Sequence, residues 1–246
     1  MIIINFLTWS IVSKTVIISS YKIMKKIKSS FYITLVLSFL FVSQFSNSQD
    51  NSDDFIMALR TGNIEHVKKF ISSGSDINME FNQRHTPLII AIFTDNFEMI
   101  ELIISNKADI NIRTEKNGTA LGAACMMGNK EICEYLLEKG ADIELADNEG
   151  RAPLVEAVYN QHPEIVKYLL DKGAEVNTKE KNGWSPLMFA VMLGDAEIVR
   201  ILIDSGADVN TKTNDDESPL ERATEIDEDG MDRKEIIELL KKAGAK

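Results

Sequence analysis

The feature of this sequence that most constrains its fold is a repeat with a period of 33 residues. Alanine recurs at that spacing six times without a slip, at Ala58, Ala91, Ala124, Ala157, Ala190 and Ala223. Glutamate recurs five times, at Glu65, Glu98, Glu131, Glu164 and Glu197. A fixed period between about 20 and 50 residues indicates stacked repeats, in which each unit covers the apolar face of the next. We therefore predict a series of similar units rather than one central core.

Each unit is predicted to contain two short antiparallel helices and a loop. The first helix begins where proline recurs, because the missing N–H of proline would have no partner in the first turn. These prolines are Pro87, Pro153, Pro186 and Pro219, and Ala120 occupies the remaining slot. The first helix ends near Gly62, Gly128 and Gly194, with Asp95 and Gln161 in the equivalent slots. The second helix has its predicted N-cap at Asn63, Asn96, Asn129, His162 or Asp195 and stops at Gly140, Gly173 or Gly206.

The recurring alanine is expected where helices of successive units approach closely, since a methyl group permits a contact that a larger side chain would block. The period divides the chain from residue 53 onward into six units. Their predicted bounds are 53–80, 81–113, 114–146, 147–179, 180–212 and 213–246. With two helices in each unit, the predicted fold class is all-α.

The recurring segments resemble the ankyrin repeat. TPLIIAI, GWSPLMFAVMLGDAEIV and GADVN are similar to that family's TPLHLAA…G…EIV…LL…GADVN pattern, and the resemblance covers residues 53–246. It implies an α-solenoid of helix-turn-helix units with hairpin loops, which binds other proteins along its concave side and has no chemistry of its own. The histidine usual after TPL is absent, and its slot holds Ile89, Gly122, Val155, Met188 and Glu221. We therefore expect weaker hydrogen bonding between units than that histidine normally supplies.

In family members that bind partners, two regions of each unit vary in sequence. One is the residue just before the TPL-like segment, and the other is the two residues near the end of the first helix. In this chain several of them are aromatic, basic or methionine, which on a soluble surface is typical of an interaction site. We call this set the binding strip and predict that it contacts a partner protein of unknown identity. Its members are His85, Phe93, Met126, Met127, Arg151, Tyr159, Trp184 and Met192.

Residues 1–48 have the composition of a targeting segment. They contain five lysines and no acidic residue, and from Met24 a lysine-rich start precedes an apolar run at 31–42 and the small residues Ser46 and Ser48. This order is typical of a secretory signal peptide, with cleavage expected after Ser48. Twelve residues form a helix of only about 18 Å, short of the roughly 30 Å hydrocarbon core of a bilayer. We predict an exported protein of bacterial type, periplasmic or secreted.

The segment 1–23 leaves two alternatives open. It is apolar but interrupted by Asn5 and Lys14, so translation begins at Met24 or the chain carries a longer leader. If residues 1–42 are retained as an anchor, the protein is a membrane-tethered scaffold instead. In either case residues 49–246 form the repeat domain.

The repeat domain is strongly acidic. All 38 acidic residues lie after residue 48, together with only 22 of the 27 basic residues, which leaves a net charge of −16. Such a surface repels nucleic acid phosphates and anionic lipid, so we predict no nucleic acid partner and no membrane contact beyond the leader.

Two possible ion sites compete with the interpretation as a binding module. Thioethers are soft ligands that suit copper(I), and Met126, Met127, Met188 and Met192 could supply them. Methionine is more often an adaptable apolar contact. The insertion Glu225–Glu235 places oxygen donors at several positions of a calcium loop, but Ile236 stands where a bidentate glutamate is needed. The interpretation as an ion-binding accessory protein is therefore the alternative, and no cofactor or metal is predicted.

No catalytic constellation is visible in the sequence. His66, His85 and His162 fall in three different units at surface-type slots, and the carboxylates fall on predicted outer faces and loops. We predict that the protein is not an enzyme. Cys125 and Cys133 lie eight residues apart, and in an exported protein they could pair, although both occupy small apolar slots that favour buried thiols.

Overall fold

The computed structural model describes residues 53–81, 85–114, 118–224 and 233–246, nearly all of them within the unit formed by Phe55–Lys246. The predictions for the leader 1–48 and for most of the calcium-like insertion therefore lie outside the described residues. In the part that is described, no helix is both long and apolar enough to cross a bilayer.

Twelve helices occupy the described ranges and follow one another in pairs. We number them in chain order: α1 (53–60), α2 (Ile64–Ser72), α3 (Pro87–Phe93), α4 (Phe97–Ser105), α5 (Ala120–Met127), α6 (Lys130–Glu138), α7 (Pro153–Tyr159), α8 (Pro163–Asp171), α9 (Pro186–Leu193), α10 (Ala196–Asp204), α11 (Pro219–Thr224) and α12 (Lys234–Lys242). No strand is found within these ranges, and a single antiparallel bridge joins Phe81 to His85. The predicted all-α fold is confirmed.

From α3 onward, the first helix of each pair packs against the first helix of the next pair. α5 contacts both α3 and α7, and α9 contacts both α7 and α11. The six recurring alanines lie in these helices, and none is more than 4% exposed. The role predicted for them, as points of close approach between units, agrees with this burial. A larger side chain there would have to displace a helix of the neighbouring unit.

The starts of the first helices follow the prediction. Proline is the first residue of α3, α7, α9 and α11, and Ala120 is the first residue of α5. Just before the helix, Thr86, Thr119 and Ser185 each accept a hydrogen bond from the backbone N–H three residues later, at 3.0–3.3 Å. This side-chain cap satisfies one of the four N–H groups that a helix start leaves without a partner.

A left-handed residue turns the chain from the first helix to the second. The backbone angle φ at this position is 69° at Gly62, 76° at Gly128 and 74° at Gly194, and it is also positive at Asp95 and Gln161. The equivalence of these five slots, predicted from the period, is confirmed. Glycine adopts the left-handed region without strain, whereas Asp and Gln adopt it at some cost.

All five predicted residues occupy the N-cap positions of the second helices, and four of them also make a side-chain cap bond. The side chains of Asn63, Asn96, Asn129 and Asp195 accept hydrogen bonds from backbone N–H groups of the first turn. His162 makes no such cap bond. Its ring lies over the preceding unit instead, with Nε2 3.1 Å from the carbonyl oxygen of Met126.

The turns of neighbouring units also contact one another through side chains. Asn129 Nδ2 donates a hydrogen bond of 2.6 Å to Asp95 Oδ1. One unit further along, the equivalent residues are His162 and Gly128. A Cβ atom built on Gly128 would lie only 2.5 Å from the His162 ring, so the absence of a side chain there makes room for the ring.

A ladder of asparagine side chains links the ends of successive units. Asn78, Asn111 and Asn177 each accept, through Oδ1, a hydrogen bond of 2.8 Å from a backbone N–H of the next unit. Asn210 does the same for Lys246 at 3.0 Å. Asn111, Asn177 and Asn210 also donate through Nδ2 to the carbonyl oxygen of a glycine that follows the next second helix. These bonds explain why asparagine recurs near the end of the units, in DIN, EVN or DVN, and they supply hydrogen bonding between units although the usual histidine is absent.

The two cysteines are free thiols in contact with each other. Cys125 in α5 and Cys133 in α6 are both fully buried, and their Sγ atoms are 3.7 Å apart. The hydrogen bond with Cys133 raises the pKa of Cys125 well above its ordinary value, and burial raises it further. Both thiols fill the small apolar slots that the period assigned to them.

The asparagine ladder has one irregular rung, and this rung generates a stability prediction. Glu144 occupies the slot and accepts from the N–H of Glu175 at 2.8 Å, but a carboxylate cannot donate to the following glycine carbonyl. We expect Glu144→Asn to raise the free energy of unfolding by about 0.5–1.5 kcal/mol, the usual contribution of one hydrogen bond. Urea denaturation measures this change.

The control for that experiment is Glu138→Gln, which removes the same charge from an exposed position at the end of α6. An equal stabilisation by both variants would show that the loss of negative charge, and not the new hydrogen bond, is responsible.

Candidate functional site

An open cavity of about 310 Å³ lies on the first-helix face of three consecutive units. It is lined by His85, Ile89, Phe93, Gly118, Thr119, Gly122, Ala123, Met126, Asp147, Arg151, Glu156, Tyr159 and Asn160. Residues of α3 and of the loop before it form one wall. Residues of α7 and of the loop before it form the opposite wall, and α5 lies between them.

The cavity exists because the unit that contains α5 has small residues where its neighbours have larger ones. Gly118 stands in the slot of His85 and Arg151, and Gly122 stands in the slot of Ile89 and Val155. A Cβ atom on Gly122 would lie 3.1 Å from Thr119 Oγ1 and 4.0 Å from Glu156 Cγ, so even one added atom would reach the opposite wall.

A charged cluster forms the wall contributed by the α7 unit. The carboxylate of Asp147 accepts two backbone hydrogen bonds from its own loop, from the N–H of Glu149 and of Arg151. Its other oxygen accepts from Nε and Nη2 of Arg151, at 3.1 and 2.9 Å. The loop therefore holds the guanidinium in a fixed, forked orientation. Asp147 is almost fully buried and fully engaged in this arrangement.

Glu156 in α7 is the second carboxylate of the cluster. Its Oε1 lies 3.3 Å from Arg151 Nε, and its side chain is only 12% exposed. Burial raises the pKa of Glu156 above its ordinary value, the charge of Arg151 partly opposes that rise, and the charge of Asp147 adds to it. Two carboxylates share one guanidinium, so the cluster carries a net charge of −1 when both are ionised.

Aromatic side chains surround the cavity and continue beyond it. The rings of His85 and Phe93 meet edge to face with centroids 5.3 Å apart. Tyr159 meets Phe189 of α9 in the same way at 5.9 Å, and Trp184 contacts Phe189 at 5.2 Å. On its other side, Trp184 has the guanidinium of Arg222 5.4 Å from its ring centroid. Aromatic side chains therefore lie on both sides of the cavity, and those on the α7 side extend through Trp184 to Arg222 of α11.

The structure brings together five of the eight residues of the binding strip. The five that line the cavity are His85, Phe93, Met126, Arg151 and Tyr159. Trp184 joins them through Phe189. Met127 is 45% exposed but does not line the cavity. Met192 lies in α9, and its backbone carbonyl accepts a hydrogen bond from Arg233.

Glu156, Asp147 and Phe189 were not among the predicted site residues. A signal for two of them was present, since Ile90, Ala123, Glu156, Phe189 and Arg222 share one slot of the period. The carboxylate of Glu156 and the ring of Phe189 stand out in this slot, because the units before them carry Ile90 and Ala123 there. Asp147 gave no such signal, because its role depends on the conformation of its loop.

The residues considered as metal ligands lie in different environments. No group of three or more His, Cys, Asp or Glu side chains in the described part of the chain is arranged to hold a metal ion. Met188 is fully buried in α9, whereas Met126 and Met127 are exposed on α5. The fixed guanidinium and the buried carboxylate of the cavity are groups that can bind a polar or charged part of another molecule.

The raised pKa of Glu156 predicts a pH-dependent stability difference. The folded protein binds a proton at Glu156 more tightly than the unfolded chain does, so this stabilisation is complete below the ordinary pKa of 4.5. It is lost as the pH rises through the higher folded-state pKa. From pH 4.5 to about pH 7, the urea midpoint of Glu156→Gln should therefore rise relative to that of the wild type.

Glu138→Gln serves again as the control, because it removes an exposed carboxylate far from the cavity cluster. The same trend in both variants, or no trend in Glu156→Gln, would contradict the electrostatic description of the cavity.

Comparison with known proteins places this architecture in a family. The sequence matches the family described as Ankyrin repeats (3 copies) over residues 29–114, 109–180 and 173–246. No curated protein matches the chain. The matched ranges cover most of the sequence, and the helix pairs, left-handed turns and loops described above fall within them. The chain therefore belongs to the ankyrin-repeat family.

Proposed function

We propose that this protein is a non-enzymatic binding module of six ankyrin units that captures a partner protein outside the cytoplasm. Ankyrin repeats are generally protein–protein interaction modules, which supports the binding role. The observation that carries the assignment to the first-helix face is the aromatic surface around the cavity. Of the residues that line the cavity, Tyr159 is 45% exposed and Met126 is 36% exposed.

Exposed aromatic and methionine side chains beside a cavity have the character of a protein interface centre. Aromatic residues lose little conformational entropy on binding and bury large areas, so they dominate the binding energy of most interfaces. The strip is also held in place before binding, because Trp184 and Tyr159 both rest on Phe189. A surface that is ordered in advance loses less conformational entropy when it binds.

The location outside the cytoplasm rests on the sequence of residues 1–48. A lysine-rich start, an apolar run at 31–42 and the small residues Ser46 and Ser48 occur in the order of a secretory signal. The proposed compartment is the periplasm or the extracellular medium. A retained leader would instead make the protein a membrane-tethered scaffold with the same binding strip.

The identity of the mature N-terminus decides between these two forms. We expect N-terminal sequencing of the protein purified from its own cells to begin at Gln49, because cleavage after Ser48 leaves that residue first. Recovery of the protein in the membrane fraction with residues before 43 still present would favour the tethered form and contradict cleavage.

The binding role is tested by partner retention from the envelope fraction. The double variant Trp184→Ala with Tyr159→Ala removes two rings of the strip, and it should retain at least about tenfold less of any specific partner, since such anchors contribute about 2 kcal/mol or more. Quantitative mass spectrometry of proteins retained on the immobilised chain measures this loss.

The matched control is Tyr135→Ala with Tyr168→Ala, which removes two rings from the second helices α6 and α8. Equal retention by wild type, strip variant and control would exclude the strip as the binding surface. Equal loss in both variants would indicate destabilisation, which their urea midpoints report separately.

A further inference from the structure

We propose that the cavity between α3 and α7 receives a basic side chain, arginine or lysine, from the bound partner. This inference rests on the proposed binding function and names the chemistry that one part of the strip recognises. The size of the cavity, its carboxylate and the nature of its other walls all point to this occupant.

The size of the cavity suits one long side chain. Pockets for drug-sized molecules range from about 300 to 1,000 Å³, and the volume of about 310 Å³ here is at the lower limit. The cavity is open, with the exposed side chains Met126 and Tyr159 among its lining residues. A side chain projecting from a protein surface laid along the strip can therefore enter it.

The carboxylate of Glu156 is the feature that selects a cation. The described residues make no hydrogen bond to either of its oxygens, and its ion pair with Arg151 is shared with Asp147. Asp147, in contrast, accepts four hydrogen bonds from its loop and from Arg151. A buried carboxylate is costly unless it is paired and hydrogen-bonded. A guanidinium or ammonium group entering the cavity supplies both the charge and the missing donors.

The remaining walls suit the apolar stem of the same side chain. Ile89, Phe93, Ala123, Met126 and Tyr159 present aliphatic and aromatic surface to the cavity. Lysine and arginine lay their methylene groups along such surface, and their charged ends are attracted to aromatic faces. An acidic side chain would be repelled by the net negative cluster. A purely apolar side chain would exclude water from Glu156 without providing a hydrogen bond.

The charge of the whole repeat domain acts in the same direction. Its net charge of −16 attracts basic segments and accelerates their encounter with the surface, while it disfavours acidic ones. Long-range attraction and the local carboxylate therefore both favour a basic partner segment.

The test uses small probes that resemble the end of each side-chain class. The chloride salts of n-butylguanidinium and n-butylammonium are titrated into the ¹⁵N-labelled protein. The comparison probes are n-butanol, which has the same stem without a charge, and sodium butyrate, whose slightly shorter stem ends in a carboxylate. We expect saturable shifts of the amide signals of Gly118, Gly122 and Ala123 with the two cations. Butanol and butyrate should bind at least about tenfold more weakly, a difference of about 1.4 kcal/mol.

Three variants assign the binding to the cavity. Glu156→Gln should weaken n-butylguanidinium at least about tenfold by removing the uncompensated charge. Ala123→Leu should abolish the shifts by filling the space while it leaves every charge in place. Glu138→Gln should bind the probe as the wild type does. The dispersion of the amide spectrum shows whether each variant is folded. Ala123→Leu acts by filling the space and Glu156→Gln acts by removing a charge. If one of them fails to fold, the other still tests the inference.

Several results would overturn the inference. Equal binding of butanol would make the cavity a simple apolar pocket, and preferential binding of butyrate would make Arg151 the recognition group. Absence of any shift at the three amides would exclude the cavity as a site for these groups. Each of these outcomes leaves the protein-binding proposal standing if the Trp184 and Tyr159 double variant still loses its partner, so the two proposals fail separately.

Discussion

The close approach of first helices in successive units is the constraint on which the rest of this structure depends. Each unit contributes one alanine methyl group to that contact, and all six methyl groups are buried. A 33-residue unit cannot cover its own apolar face, so its stability comes from the neighbours on both sides. The asparagine ladder works at the opposite end of each unit and fixes the same register with hydrogen bonds. The packing contacts and the hydrogen bonds thus specify the same spacing between units. Substitutions that preserve both kinds of contact can accumulate at other positions.

The candidate site is made of such changes. Gly118, Gly122 and Ala123 leave space in one unit, and Glu156 places a carboxylate in the next, while Ala124 and Ala157 keep the helices at their usual separation. The scaffold therefore tolerates a cavity and a buried charge because neither interrupts the contact that holds the units together. Asp147 connects this site to the loop before α7, since the carboxylate that orders the loop also orients Arg151. One side chain, Asp147, thus sets both the conformation of the loop and the orientation of a guanidinium that lines the cavity.

Much of the fold could be predicted from the sequence, because the period repeats each local signal several times. Proline at helix starts, Asn or Asp at the N-caps and a left-handed residue between helices all follow from backbone chemistry that acts within a few residues. His162 occupies its predicted N-cap position but makes no cap bond, because its ring contacts another unit, which a local rule does not consider. The positions of the strip residues could be predicted from the period. The cavity could not, because it is formed by the absence of larger side chains. The role of Asp147 depended on a loop conformation that no pattern in the sequence expresses.

The turns between paired helices suggest how neighbouring units constrain each other's evolution. Asp95 and Gln161 adopt the same left-handed backbone as Gly128, so conformation alone does not demand glycine at that slot. At two of these turns the residue facing the slot from the next unit adds a second constraint: Asn129 bonds to Asp95, and the His162 ring occupies the space above Gly128. Among relatives of this chain, these two positions should therefore change as matched pairs, and a unit exchanged between proteins would need to carry the partner residue of its new neighbour.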